Sequence, residues 1–274
     1  MNGSLSTPLT TCTGAPQGCV LSSLLFSLYT NGCLSKHPSV KRIKFADDTT
    51  MPGLISNNDE TAYRTEVQDL VDWCDCNNLI LNTTKTHELI IDFRKSPSNK
   101  SPLNIKGEDI QQVPTAKFLG TVLNTKLTWE KNTEAIRKKA QQRLYFLRLL
   151  KKFRLRREIL KQFYSATIES ILTFSCLVWY GNLTVKDKHS LQKIVNRASK
   201  ITGAQLPSLE EIYAKRASKK ARKIATDPSH PSFPLFELLP SGRRYRAIKT
   251  KTVRFRQSFY PSAVAILSQD LKSR

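Results

Sequence analysis

The sequence predicts an α+β protein, and three observations carry the prediction. Short apolar runs bounded by turn residues surround Asp47-Asp48 and again occupy Lys117 to Leu123. Helical spacing of apolar residues marks the stretch before the first of these runs and the stretch after it. From Asn132 onward the periodicity is helical and the surface residues turn strongly basic.

Taken in order, Gln17 to Asn31 places Val20, Leu21, Leu24, Leu25 and Leu28 at helical spacing after Gly14-Ala15-Pro16. A helix is expected to start near Pro16 or Gln17 and to end at Gly32. Val40 to Phe45 and Thr49 to Ile55 read as two strands joined at the Asp pair. Asp59 to Cys76 is an amphipathic helix, with Ala62, Val67, Leu70, Val71, Trp73 and Cys74 on its apolar side. Leu79 to Asn82 and His87 to Phe93 read as strand or turn around Lys85, and Ser96 to Pro102 as a polar loop. Lys117 to Leu123 is a strand broken at Gly120.

After Asn132, one face collects Ala135, Ile136, Ala140, Leu144, Leu147 and Leu150. Further helices are expected over about Glu158 to Tyr180 and Lys186 to Ile201. The remainder reads as a basic, Pro-punctuated tail with clusters at Lys215 to Lys223, Ser241 to Arg246 and Arg254 to Arg256.

The chain has 274 residues, 44 Lys+Arg against 22 Asp+Glu, and a formal net charge of +22. Such an excess speaks of a polyanionic partner, nucleic acid before an anionic membrane surface. The longest apolar run, Ile168 to Tyr180, is too short to span a bilayer and contains Glu169, so no membrane partner is expected. The start of the chain shows no charged-then-apolar leader, and the six cysteines form no Cys-x-x-Cys pair. Reduced thiols in an intracellular protein, nuclear or cytoplasmic and not secreted, are the expectation.

Two adjacent carboxylates in a tight turn are a seat for a divalent metal with oxygen ligands. They are equally what solvated turn aspartates look like. Gly14-Ala15-Pro16-Gln17-Gly18 is either a turn with a helix start or a backbone platform for a nucleotide. Lys85 is either a solvated lysine or a proton donor. Unbalanced cations interleaved with Tyr145, Phe146, Phe153 and Tyr164 favour phosphate contact, although Phe146 is expected in the core.

Gly14-x-Pro16-Gln17-Gly18-x-x-x-Ser22-x-x-Leu25-Phe26 followed by Phe45-Ala46-Asp47-Asp48 resembles two consecutive motifs of reverse transcriptases of the non-LTR, LINE-type retrotransposon class. Leu81-Asn82-x-x-Lys85-Thr86 resembles the next palm motif and Phe118-Leu119-Gly120 the primer-grip hairpin. The basic helices resemble the thumb, and Leu239 to Tyr245 resembles the carboxyl end of such elements. The resemblance implies a partial right-hand polymerase palm over residues 1–117, a helical thumb over 118–205 and a basic tail over 206–274.

The resemblance further implies Mg²⁺ on Asp47 and Asp48, with Lys85 as the third catalytic candidate. Gln17, Gly18, Phe45 and Ala46 would lie near nucleotide and template. Arg137, Lys138, Lys139, Arg143, Lys151, Lys152, Arg154, Arg156 and Arg157 would hold nucleic acid. RNA and DNA as primer-template, and deoxynucleoside triphosphates, are the implied partners. The family's earlier catalytic aspartate has no counterpart among the thirteen residues before Gly14, none of which is acidic, and the fingers are missing. Ser23 and Gly32 also depart from the usual pattern. This chain alone is therefore expected to be inactive, and a non-catalytic nucleic-acid-binding protein is the alternative.

Asp69 to Arg94, with Trp73-Cys74 and Thr86-His87-Glu88, also resembles a segment grouped with the amino-terminal region of an AlkB homologue. No histidine here begins a His-x-Asp iron motif, so that resemblance implies a shared segment and not an oxygenase.

Overall fold

A computed structural model describes residues 18–94 and 100–272. The described chain mixes helices with short strands and divides into two compact units, Met1–Glu88 with Arg94–Gln112, and Leu89–Phe93 with Val113–Arg274.

In the first unit, α1 runs Val20–Tyr29. The earlier start expected near Pro16 or Gln17 lies outside the described residues. Gly32 does not end the helix. It stops at Tyr29, where the Thr30 N–H donates to Phe26 O at 2.9 Å. The two strands expected around the Asp pair form: β1 (Ile43–Phe45) and β2 (Asp48–Thr50) are antiparallel, with Phe45 opposite Asp48. A bridge between Val40 and Gly53 extends the pairing. α2 spans Thr61–Cys76 and buries Glu66, Val67, Val71 and Cys74 on one face. A single turn of 3₁₀ helix holds Thr83–Lys85, and β3 (His87–Glu88) pairs in parallel with β6 (Gln111–Gln112). β4 (Asn104–Ile105) and β5 (Glu108–Asp109) form a hairpin whose Leu103, Ile105 and Ile110 close the core over Val67 and Val71.

The polar residue at the centre of this unit is Glu66. It pairs with Arg42 at 3.0 Å, and both side chains are 3% exposed. Its carboxylate also accepts the Lys36 and His37 N–H groups at 2.7 and 2.5 Å. Arg42 donates back to the Glu66 carbonyl at 3.0 Å. The loop before β1 is thereby fastened to α2 by a buried charge pair. Burial alone would raise the Glu66 carboxyl; the His37 and Lys36 N–H groups, Arg42 and Ser35 outweigh it and hold its pKa below the ordinary value.

The second unit opens with β7 (Thr115–Phe118) and β8 (Thr121–Asn124), an antiparallel hairpin. The glycine break expected at Gly120 is its turn, with Leu119 at φ 42° and Gly120 at φ 86°. Both positive angles match the strand twist of a hairpin, and a Cβ on Gly120 would stand 3.1 Å from Phe174.

α3 (Glu130–Lys152) packs along α7 (Val185–Thr202), and α4 (Arg157–Tyr164) leads through a π-turn at Ser165–Glu169 into α5 (Ser170–Leu172). Leu144, Leu147, Leu160, Tyr164, Ile168, Leu172, Trp179, Leu191 and Ile194 form the core at 0–1% exposure. The single helix expected over Glu158 to Tyr180 is broken before α6 (Cys176–Trp179), with Ser175 at φ 48°. The break persists because side chains take the freed carbonyls. Trp179 Nε1 donates to Phe174 O at 2.9 Å and Arg216 to Thr173 O at 2.8 Å.

The expected tail is corrected more broadly. Residues Leu209–Ala225 form α8, opened by a capping box in which Ser208 and Glu211 exchange hydrogen bonds. α9 (Val253–Arg256) and α10 (Phe259–Lys272) follow. Ala221, Ile224, Phe236, Ala263, Val264 and Leu267 make a second, smaller core there.

Replacing Glu66 by Gln leaves Arg42 buried without a counter-charge and should cost about 3–5 kcal/mol, read as a lower urea midpoint. A carboxyl with a depressed folded pKa adds stability above its unfolded value of about 4.3, and that stability is lost as pH falls through the folded value. Melting temperature should therefore drop more steeply on acidification below about pH 4 in the parent chain than in Glu66→Gln. Parallel acid profiles would contradict the assignment.

Candidate functional site

The β1–β2 turn presents its carboxylates to solvent. Phe45, Ala46, Asp47 and Asp48 are all exposed, with Phe45 at 62%. The turn is two residues long, Ala46 and Asp47, because Phe45 and Asp48 face each other across the ladder. Ala46 has φ 52°, a left-handed angle that glycine adopts more easily. The hairpin is fixed from below. Lys44 Nζ donates to the Cys33 carbonyl at 3.1 Å and also to the Thr30 carbonyl, just past the end of α1. Arg42, two residues earlier, is the buried partner of Glu66.

Gly18 stands just before α1 at φ 82°, exposed. Gln17 lies outside the described residues. Lys85 is exposed at the end of its 3₁₀ turn, where its N–H donates to Asn82 Oδ1 at 3.1 Å. Among the described residues no ion pair joins Lys85 to Asp47 or Asp48, so the three catalytic candidates are not drawn together by direct contact.

Divalent metal was expected on the Asp pair. Among the described residues no group of three or more His, Cys, Asp or Glu side chains could hold an ion. Asp47 and Asp48 are two carboxylates, which would have to share any ion with solvent water. They do not fit a pair of ions held at working separation.

The second cluster lies on α3, α4 and the turn between them. Lys138, Lys139, Arg143, Lys151, Lys152, Arg154, Arg156 and Arg157 are exposed, and Arg137 is half-buried. Among the described residues none of these nine forms an ion pair. The Phe146 expected in the core is instead 43% exposed, beside Tyr145 at 60%. Their rings meet edge to face at 5.6 Å. The inward positions of α3 are Ile136, Ala140, Leu144 and Leu147, and that stripe leaves residue 146 outside it. Arg143, Phe146, Leu149, Leu150, Phe163 and Thr167 line an apolar groove of about 320 Å³.

Arg154 closes α3 at φ 57°. Its N–H donates to Lys151 O at 3.0 Å and the Leu155 N–H to Leu150 O at 3.4 Å, the bond pattern that normally places glycine here.

Residues 1–123 match the family model described as "Reverse transcriptase (RNA-dependent DNA polymerase)". Over these residues the chain is similar to reverse transcriptases. The match takes in the Asp47-Asp48 hairpin, Lys85 and the β7–β8 hairpin as far as Leu123. The chain is also 24% identical over 277 residues to a "Probable RNA-directed DNA polymerase from transposon BS" of Drosophila melanogaster. That alignment covers 92% of this chain and 30% of the relative, so the chain spans under a third of that protein's length. A second family model, described as "Alkylated DNA repair protein alkB homolog 8, N-terminal", matches residues 129–170. The AlkB-related segment is thus α3, α4 and the π-turn, and not residues 69–94. Those helices contain no histidine. No solved structure matches the chain. Reverse transcriptases use divalent metal and act on nucleic acid. Among the described residues no helix is long and apolar enough to cross a membrane.

Arg154→Gly should raise the melting temperature by the equivalent of about 0.5–1 kcal/mol, because glycine meets no Cβ clash at this angle. A lower melting temperature would show that the arginine side chain holds the turn.

Proposed function

We propose that this chain is the partial palm and thumb of a retrotransposon reverse transcriptase of the LINE type. In this reading it binds nucleic acid on α3 and α4 and does not polymerise by itself. The observation that carries the reading is the exposed Asp47-Asp48 hairpin, pinned from below by Lys44 and Arg42, inside the segment that the family model matches. The hairpin presents Asp47 and Asp48 to Mg²⁺ and the phosphates of a deoxynucleoside triphosphate, with Phe45, Ala46 and Gly18 beside nucleotide and template. When bound, Mg²⁺ supplies charge neutralisation of phosphate oxygens. Where a further carboxylate completes the site, Lys85 would donate a proton to the leaving group. On a polypeptide of these 274 residues, two adjacent carboxylates hold one ion at most, and phosphoryl transfer by the two-ion route needs a further carboxylate.

The nine cations that form no ion pair among the described residues and the Phe146 groove support the nucleic-acid surface. Lys and Arg without acidic partners release counterions when they meet phosphates. An aromatic-lined groove beside Arg143 suits a stacked base. The ligands are RNA template and DNA primer.

Primer extension on poly-rA/oligo-dT with Mg²⁺ should yield no template-dependent product from the 274-residue chain. Incorporation that disappears in Asp47→Asn would overturn the inactivity. Binding of a labelled primer-template should fall steeply with salt. Lys138→Ala/Lys139→Ala/Arg143→Ala should flatten the log–log salt slope by roughly 2–3, about 0.7–0.9 per lost phosphate contact. An unchanged slope would remove α3 from the interface.

A further inference from the structure

The smaller core of the second unit supports a feature that the polymerase reading leaves without a role. Leu238 and Tyr245 pair across an antiparallel bridge. The Leu239 N–H donates to Arg244 O at 3.0 Å, and the Gly242 N–H donates to Leu239 O at 2.8 Å. Pro240 and Gly242, the latter at φ 66°, occupy positions that a tight turn favours. Glu237 to Arg246 is therefore a hairpin.

Its inner side is anchored. The Tyr245 ring packs edge-on against Phe236 at 6.4 Å, and the Tyr245 N–H donates to Ser268 Oγ of α10 at 3.1 Å. Its outer side is cationic. Arg243 and Arg244 are exposed and, among the described residues, have no acidic partner. Arg246 alone is paired, to Glu237 at 3.0 Å. From Ser241 to Arg256 the chain carries seven basic residues and no acidic one. Two consecutive exposed arginines without acidic partners make the tip attractive to an anion. Arginine's planar fork matches phosphate oxygens. A tip already ordered by the core gives up little conformational entropy on binding.

We infer that this hairpin is a second nucleic-acid-binding element, in which Arg243 and Arg244 clamp the sugar-phosphate backbone of a nucleic-acid strand, independently of α3. The inference rests on the reading of the chain as a nucleic-acid-handling polypeptide.

The test uses the full chain and a labelled 20-nucleotide single-stranded RNA, titrated at several salt concentrations. Three variants are compared: Arg243→Ala/Arg244→Ala; Lys138→Ala/Lys139→Ala/Arg143→Ala on α3; and Lys219→Ala/Lys220→Ala, an equal charge loss from exposed positions of α8. The hairpin variant should flatten the salt slope by roughly 1.4, about 0.7 for each of two single-strand phosphate contacts, while the α8 variant changes it far less. Equal effects of the hairpin and α8 variants would reduce the finding to net charge and overturn the site. No effect of the hairpin variant, with loss in the α3 variant, would overturn this inference and leave the α3 interface standing. Loss in the hairpin variant alone would support the hairpin and sink α3. Loss of binding to phosphatidylserine vesicles with RNA binding intact would also overturn it, in favour of a membrane surface.

Discussion

Glu66 sets the geometry of the first unit. In a chain with twice as many basic as acidic residues, it is buried at 2% exposure and shared among Arg42 and two backbone N–H groups. Burying a charge is tolerable only when partners replace the water it loses. Those partners sit in the loop that leads into β1 and on to Asp47-Asp48, while the carboxylate itself belongs to α2. The Asp hairpin thus inherits its position from a helix that contains none of the implied catalytic residues. Lys44 adds a second tether to the carbonyls beyond α1.

The second unit solves the opposite problem. It must carry a great many cations without letting them interfere with packing. It does so by segregation: α3 turns Ile136, Ala140, Leu144 and Leu147 toward α7 and leaves its lysines and arginines outside. The same helix leaves Tyr145 and Phe146 outside as well, so the cationic face also has flat apolar surface. Charge and stacking surface on one face is what separates a nucleic-acid interface from a merely solvated one.

Much of this was legible in the sequence. The Asp hairpin, α2 and α7 each follow from short-range periodicity and turn chemistry, and their bounds fall within a few residues of expectation. What was not legible depends on distant partners. Glu66 reads as one more surface charge of an amphipathic helix until Arg42 is placed beside it. The break at Ser175 is sustained by Arg216, which is 43 residues from Thr173 in sequence. The helix α8 was readable: Ser208-x-x-Glu211 and the spacing Tyr213, Ala217, Ala221, Ile224 announce it, but a dense run of lysines hides the stripe. Phe146 was misplaced because aromatic residues are weighed as core by default, whereas the phase of the helix decides. The AlkB-related match lies on the basic helices α3 and α4, whose residues include no histidine.

α1 buries none of its ten residues, and Val20, Leu21, Leu24, Leu25 and Leu28 are each half or more exposed. A helix with this many leucines normally buries them against a neighbour. A segment of this length has little helical stability of its own. Newly made chains that display such a surface are retained by holdase chaperones or cleared by proteases. The abundance of this polypeptide in a cell is then set by how quickly α1 is covered, so its half-life becomes a measure of whether a covering partner is present.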